Sequence, residues 1–343
     1  MRKECWGRSL SPRSPFLRIP YLPGHPISAR DVLIAAYGKA GQTYMQYFAS
    51  SVAANFAPVV FRGPSAVARV NGCLVVAAIQ QPEIVPALEL MVANDNAAVR
   101  YYGIKGFQAL RGNLLAQGAR GRDQMIAALK GQAQKEASPV VLGALCQTID
   151  FSGVSGVPET VLQPARAEAR QILLASVAKN LQAVRDGDLP MCAAFSRVMK
   201  VVASLGAETR DQERIALLQM LGNVMDNACE AYMDLTESAG KSDEPPTELA
   251  NLLADCELAI TQITARTDSG IRNVFQNRGV NRTDVKLAVN FWVGTQQDPG
   301  ELVKLGIKKT VPLPRGSSAR RATSRPTSRP ATRPSATTLP SAP

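Results

Sequence analysis

From residue 65 to residue 150 the chain is punctuated at short, regular intervals. A capping residue or a proline opens each apolar stretch, and each stretch closes within roughly 12–16 residues. Ser65 precedes Val67, Val70, Leu74, Val75 and Ala78. Pro82 precedes Ile84, Val85, Leu88, Met91 and Val92. Asn96 precedes Val99, Tyr102, Gly103, Gly106, Phe107 and Leu110. A fourth stretch, near Arg122–Glu136, carries Met125, Ile126 and Leu129, and Ser138-Pro139 opens a fifth with Val141, Leu142, Leu145 and Ile149. Spacings of three and four residues gather these side chains on one helix face. Turns of only a few residues then force successive helices back against each other as hairpins. The composition agrees. There are 48 alanines among 343 residues and only 5% aromatics, whereas sheets draw on β-branched and aromatic residues. With 45% hydrophobic and 20% charged residues, the chain can bury a substantial core.

The intervals carry an internal repeat. Residues 65–79 and 96–110 align without gaps at an offset of 31, matching Arg69 with Arg100, Gly72 with Gly103 and Ala78 with Ala109. A weaker third copy begins at Ser138, at an offset of 42. The stretch Asp95-Asn96-Ala97-Ala98-Val99-Arg100 resembles the polar cap and Val-Arg start of a helix in the HEAT/armadillo-like superfamily, over residues 63–150. The resemblance implies a HEAT-like α-solenoid of stacked helical hairpins. It also implies that Asn96 caps and that Arg100, and more weakly Arg69, cross to an acidic or amide residue of a neighbouring cap and tie repeats together.

The rest of the chain divides by composition. Residues 1–27 read as an irregular basic leader, and residues 28–150 as the helical repeats. Ser28 opens a segment running to about Asn55, with Pro58 and Gly63-Pro64 expected to stop it. Residues 158–305 read as longer helices packed on the repeats. Pro164 is expected to start one that runs to Val184. Others are expected over 189–205, from the capping box Thr209–Gln212 to Thr236, and over 247–266. Residues 285–293 alternate like a strand but also form a helix face; without a partner strand, helix is expected. The fold class is therefore all-α, with core positions at Val99, Phe107, Leu110, Leu221, Val224 and Ile260. From Lys308 the composition falls to Arg, Pro, Ser, Thr and Ala, so residues 308–343 read as a disordered tail.

The net charge of +11 sits at the ends. Residues 1–30 carry +5 and residues 308–343 carry +8, which leaves −2 for residues 31–307. A basic balance often signals nucleic acid, but the folded part shares none of it. The tail reads as a solubilising or tethering segment, with polyanion contact as the alternative, through Arg315, Arg320, Arg321, Arg325, Arg329 and Arg333. No aromatic residue lies among them to stack on bases. Arg320-Arg321-Ala322-Thr323 is similar to acceptor sites of basophilic kinases.

Catalytic chemistry finds few footholds. His25, the single histidine, lies between Gly24 and Pro26, so Ser/His and Cys/His arrangements lack a base. No P-loop or Gly-rich phosphate fingerprint follows a strand pattern, and Gly103-Ile104-Lys105-Gly106 reads as a helix-packing pair. The six cysteines, at 5, 73, 146, 192, 229 and 256, form no CxxC. Buried, reduced thiols are the expectation, which fits a cytoplasmic setting. Asp226, Glu230 and Asp234 recur every fourth residue, with Glu237 beyond. Without the histidines of di-metal bundles they read as a solvated acidic face, or one that meets the protein's own tail or a basic partner. No metal or cofactor is expected. No apolar run approaches the ~18–20 residues of a membrane span, and no apolar segment follows the basic start as in a signal peptide. The function expected is a non-enzymatic scaffold for an unknown protein or peptide. The alternatives are a metal-binding or enzymatic protein using the acidic face, or a polyanion binder acting through the tail.

Overall fold

The computed structural model describes residues 29–206, 211–239, 246–266, 270–276 and 281–316, and among these no strand occurs. The leader, His25, Cys5 and the tail arginines from Arg320 onward lie outside the described residues. The first helices are α1 (Ala29–Gly38) and α2 (Gln42–Ser51). Helix α2 continues through a π-turn at Val52–Phe56 into α3 (Ala57–Arg62). Pro58 was expected to stop the chain, yet it sits in the first turn of α3. The wider π-turn closes with the Ala57 amide donating to the Val52 carbonyl, so the missing proline N–H falls at a helix start, where it costs little.

Helices α4 (Ala66–Ala78), α5 (Val85–Val92), α6 (Ala97–Ala116), α7 (Ala119–Ala133) and α8 (Pro139–Thr148) follow, of 8 to 15 residues except α6, which has 20. Helices α9 (Glu159–Arg185) and α11 (Asp211–Ala239), of 27 and 29 residues, are longer, whereas α10 (Leu189–Gly206) and α12 (Thr247–Thr264), expected among the longer helices, have 18 residues each, fewer than the 20 of α6. Helix α9 starts five residues before Pro164, which lies inside it, because Leu162 in the added turn buries its side chain in the core. Past α13 (Ile271–Gln276), the ambiguous segment is helix α14 (Arg282–Val293). Its cap is Asn281, whose side chain accepts from the Thr283 amide at 2.9 Å. A short α15 (Gly300–Lys304) follows.

Helices pack mainly on the helix two places along the chain. One row runs α4, α6, α8, α10, α12, and the other runs α3, α5, α7, α9, α11, α14. A single apolar core lies between the rows, and all six expected core residues are within it. Helix α10 has the length and mean hydropathy (1.3) of a membrane-crossing segment, which the sequence reading did not anticipate because Arg197 and Lys200 interrupt it. Two-thirds of it (67%) is buried, and it packs against α8, α9 and α12.

The 31-residue offset is structural and reaches one helix further upstream than the sequence alignment. A methyl group at Gly72 would meet Val60 Cγ1 at 2.6 Å, and one at Gly103 would meet Met91 Cβ at 2.8 Å. Val60 and Met91 are themselves 31 residues apart. Arg69 donates to the Gly63 carbonyl at 2.9 Å, and Arg100 to the matching Asn94 carbonyl at 3.0 Å. The repeated unit is thus a hairpin, α3–α4 and then α5–α6, whose helices cross closely at a glycine.

The tail boundary at Lys308 is corrected. Residues 307–316 form an extended strap lying along α11 and α9, with Ile307 and Thr310 buried. Composition misses this because past Ile307 the strap is held largely through main-chain hydrogen bonds.

Candidate functional site

Two polar constellations stand out, one at the turns and one on the flank of α11. At the turns, Asn94 reaches back to the Phe61 carbonyl (3.0 Å) and accepts from the Asn96 amide (3.0 Å). Asn96 caps α6, accepting from the Ala98 amide at 2.9 Å. Arg100 donates forward to both carboxylate oxygens of Glu136, at 2.8 and 2.9 Å, and also holds the Asp95 carbonyl at 2.7 Å. Glu136 is almost wholly buried. It accepts in addition from Gln132 (2.5 Å) and from the Ser138 amide (2.8 Å), and its carbonyl accepts from Asn180 on α9 (3.1 Å). Burial pushes the Glu136 carboxyl up, but the Arg100 guanidinium, the Ser138 amide and Gln132 outweigh it and hold it below its ordinary value. Arg69 makes no such crossing; it closes onto Gly63 in its own turn, and its Nε is buried without a partner.

Sequence reasoning missed Glu136. Its signal was its place two residues before the Ser138 cap, as Asn94 stands two before Asn96.

On the flank, the reading of the acidic row as a solvated face is corrected. Asp234 accepts from Arg185 of α9 at 2.6 Å, and Arg315 approaches the same oxygen at 3.9 Å. Glu230 faces Lys286 at 3.5 Å and Glu237 faces Arg282 at 3.7 Å, both from α14. Asp226 is half-buried; burial raises its carboxyl above the ordinary value, opposed by a hydrogen bond from Thr310. The row therefore meets the protein's own cations and its own strap. An open cleft of about 680 Å³ lies between α11 and α14, lined by Glu230, Asp234, Glu237, Arg282, Lys286 and neighbours. Among the described residues no three His, Cys, Asp or Glu side chains converge as a metal site would need.

The strap is read mostly through its backbone. Gln219 donates to the Lys308 carbonyl at 3.1 Å. Asn227, buried on α11, accepts from the Leu313 amide at 2.8 Å, while Arg185 Nε donates to the Leu313 carbonyl at 2.8 Å. Gln182 donates to the Pro314 carbonyl at 3.1 Å, and Asp186 accepts from the Gly316 amide at 2.7 Å. No sequence pattern pointed to these five residues, since each is an ordinary polar residue on a helix. Of the six expected polyanion contacts, Arg315 alone is described, and it faces Asp234.

Cys73, Cys146, Cys192, Cys229 and Cys256 are buried free thiols. Burial pushes the first four up to about 12, so none of these is an activated nucleophile at neutral pH. Comparison with protein-family models, with curated proteins and with solved structures finds no match to this chain.

Proposed function

We propose that the protein is a non-enzymatic interaction scaffold, a HEAT-like α-solenoid whose helix rows hold another protein or peptide. The observation that carries this reading is the strap: the helical body already holds ten residues of extended polypeptide through side chains of α9 and α11. The alternating packing and the repeated α3–α4 and α5–α6 hairpins support it, because such stacks expose long faces that no neighbouring helix covers. The buried thiols fit a reducing, cytoplasmic setting.

The reading is tested by purifying the protein from its native host after chemical cross-linking. Cross-links from one recurring partner to lysines such as Lys130, Lys179 or Lys200 on the helix rows are the expected result. Cross-links confined to residues 1–28 and 317–343 would count against it. The polyanion reading keeps only the arginines beyond the strap, since Arg315 faces Asp234. It predicts micromolar or tighter nucleic-acid binding that weakens steeply with salt.

A further inference from the structure

We propose that the face of α9 and α11 under residues 307–316 is a receptor groove for extended, proline-containing peptides bearing a basic residue, and that the strap is its displaceable resident. This rests on the scaffold reading and names the partner chemistry for it. The groove recognises a backbone before it recognises side chains. Gln219, Asn227, Arg185, Gln182 and Asp186 meet peptide N–H and C=O groups at residues 308, 313, 314 and 316. Any extended peptide offers those groups at the same spacing. Pro312 and Pro314 suit the seat, because proline holds the chain extended and leaves no amide hydrogen to satisfy.

Two positions add selectivity. Thr310 Cγ2 would lie 3.1 Å from a methyl group placed at Gly222, so the bare glycine backbone makes room for a small β-branched residue whose hydroxyl meets Asp226. Five residues on, Arg315 approaches Asp234, and Asp186 lies beside Gly316. The groove therefore asks for a small hydroxyl residue, an extended proline-containing stretch and then a cation. Val311 between them is exposed and free to vary.

The strap is weakly fastened. From residue 308 to 316, Thr310 is the one buried residue, and Lys308, Lys309, Val311, Pro314 and Arg315 are exposed. A competing peptide thus displaces hydrogen bonds that it can itself remake.

The test uses the full chain carrying Thr310→Arg and Arg315→Glu together, which loosen the strap without altering a groove residue. The probe is a fluorescent peptide of residues 307–316, read by anisotropy. We expect it to bind the variant at least tenfold more tightly than the wild-type protein, and to lose about tenfold when Asn227→Ala is added. A peptide with Arg315→Glu should bind poorly. Equal binding by the variant and the wild type, or equal binding of both peptides, overturns the proposal. Loss of helical circular dichroism in the variant also overturns it, by making the strap an integral part of the fold. So does dimer formation by light scattering, which would put a second copy in the groove.

Hydrogen exchange on the unaltered protein gives an independent reading. The Leu313 and Gly316 amides should exchange at least a hundredfold faster than those of α10, and equal protection overturns the idea. A groove that takes no peptide, together with a partner still cross-linked to other helices, would sink this proposal and leave the scaffold reading standing.

Discussion

The hairpins of α3–α8 and the helices α9–α12 pack in the same alternating order but are fastened by different means. In the hairpins, polar groups link one turn region to the next. The line runs from the Phe61 carbonyl to Asn94, then from Arg100 to Glu136, then to Asn180. The line thus reaches α9, a helix of 27 residues that extends roughly 40 Å, at Asn180. Further along, helix is joined to helix by side-chain pairs such as Arg170 with Glu213 and the buried Ser196 with Asp255, and at the flank by Arg185, Asp234 and the strap. Links between turns in the hairpins thus give way to links between helix sides in α9–α12.

The largest expected effect tests the link between turns. Arg100→Leu leaves the buried Glu136 carboxylate without its cation, which should cost about 3–5 kcal/mol by denaturant unfolding. A loss below about 1 kcal/mol would show that the turns are not coupled through this pair. The pH dependence sharpens the test. Glu136 is held below its ordinary value of 4.5, so its contribution is present above that value and is lost as the pH falls through the lowered one. The gap between wild type and Arg100→Leu should narrow as acid is added. A gap that stays constant well below pH 4.5 would remove Glu136 from the account.

The next effect is smaller and concerns the crossing glycines. In Gly103→Ala the new methyl would lie 2.8 Å from Met91 Cβ and 2.9 Å from the Val92 backbone nitrogen. Backbone cannot step aside as a flexible side-chain tip can, so overpacking should cost about 1–3 kcal/mol. Gly112→Ala, on the exposed face of the same helix, meets nothing within 4 Å and should stabilise by about 0.5–1 kcal/mol through helix propensity. Equal effects at the two sites would mean that α5 and α6 do not cross where they are placed.

These contrasts also mark what was legible in the sequence. The helices, the buried faces and the 31-residue register could be read because caps and apolar spacing act within one helix or one turn. Glu136 was hidden because its partner lies 36 residues away and its own neighbours resemble any polar helix end. The strap was hidden for a different reason: most of its contacts are to backbone groups, which every residue has, so the shared prolines and cations of Lys308–Gly316 and residues 317–343 masked the boundary between them. Pro58 and Pro164 misled because a π-turn and an added helical turn, respectively, accommodated them.

The smallest expected effect lies at the arginine in the same register, and it separates a repeated sequence from a repeated role. Arg69 and Arg100 stand 31 residues apart at equivalent places, each donating to a carbonyl of the preceding turn. Arg100 alone reaches a carboxylate. Arg69 gives one hydrogen bond of 2.9 Å to Gly63, and its Nε is buried with no acceptor. Losing the bond should cost about 0.5–1.5 kcal/mol, whereas removing an unsatisfied buried N–H recovers a similar amount. The side chain's stem packs comparably well as leucine. Arg69→Leu should therefore change stability by less than about 1 kcal/mol, a shift of a few degrees at most in the thermal midpoint. A loss as large as that of Arg100→Leu would mean that Arg69 has a charged partner across the turns, and the contrast between the two registers would collapse.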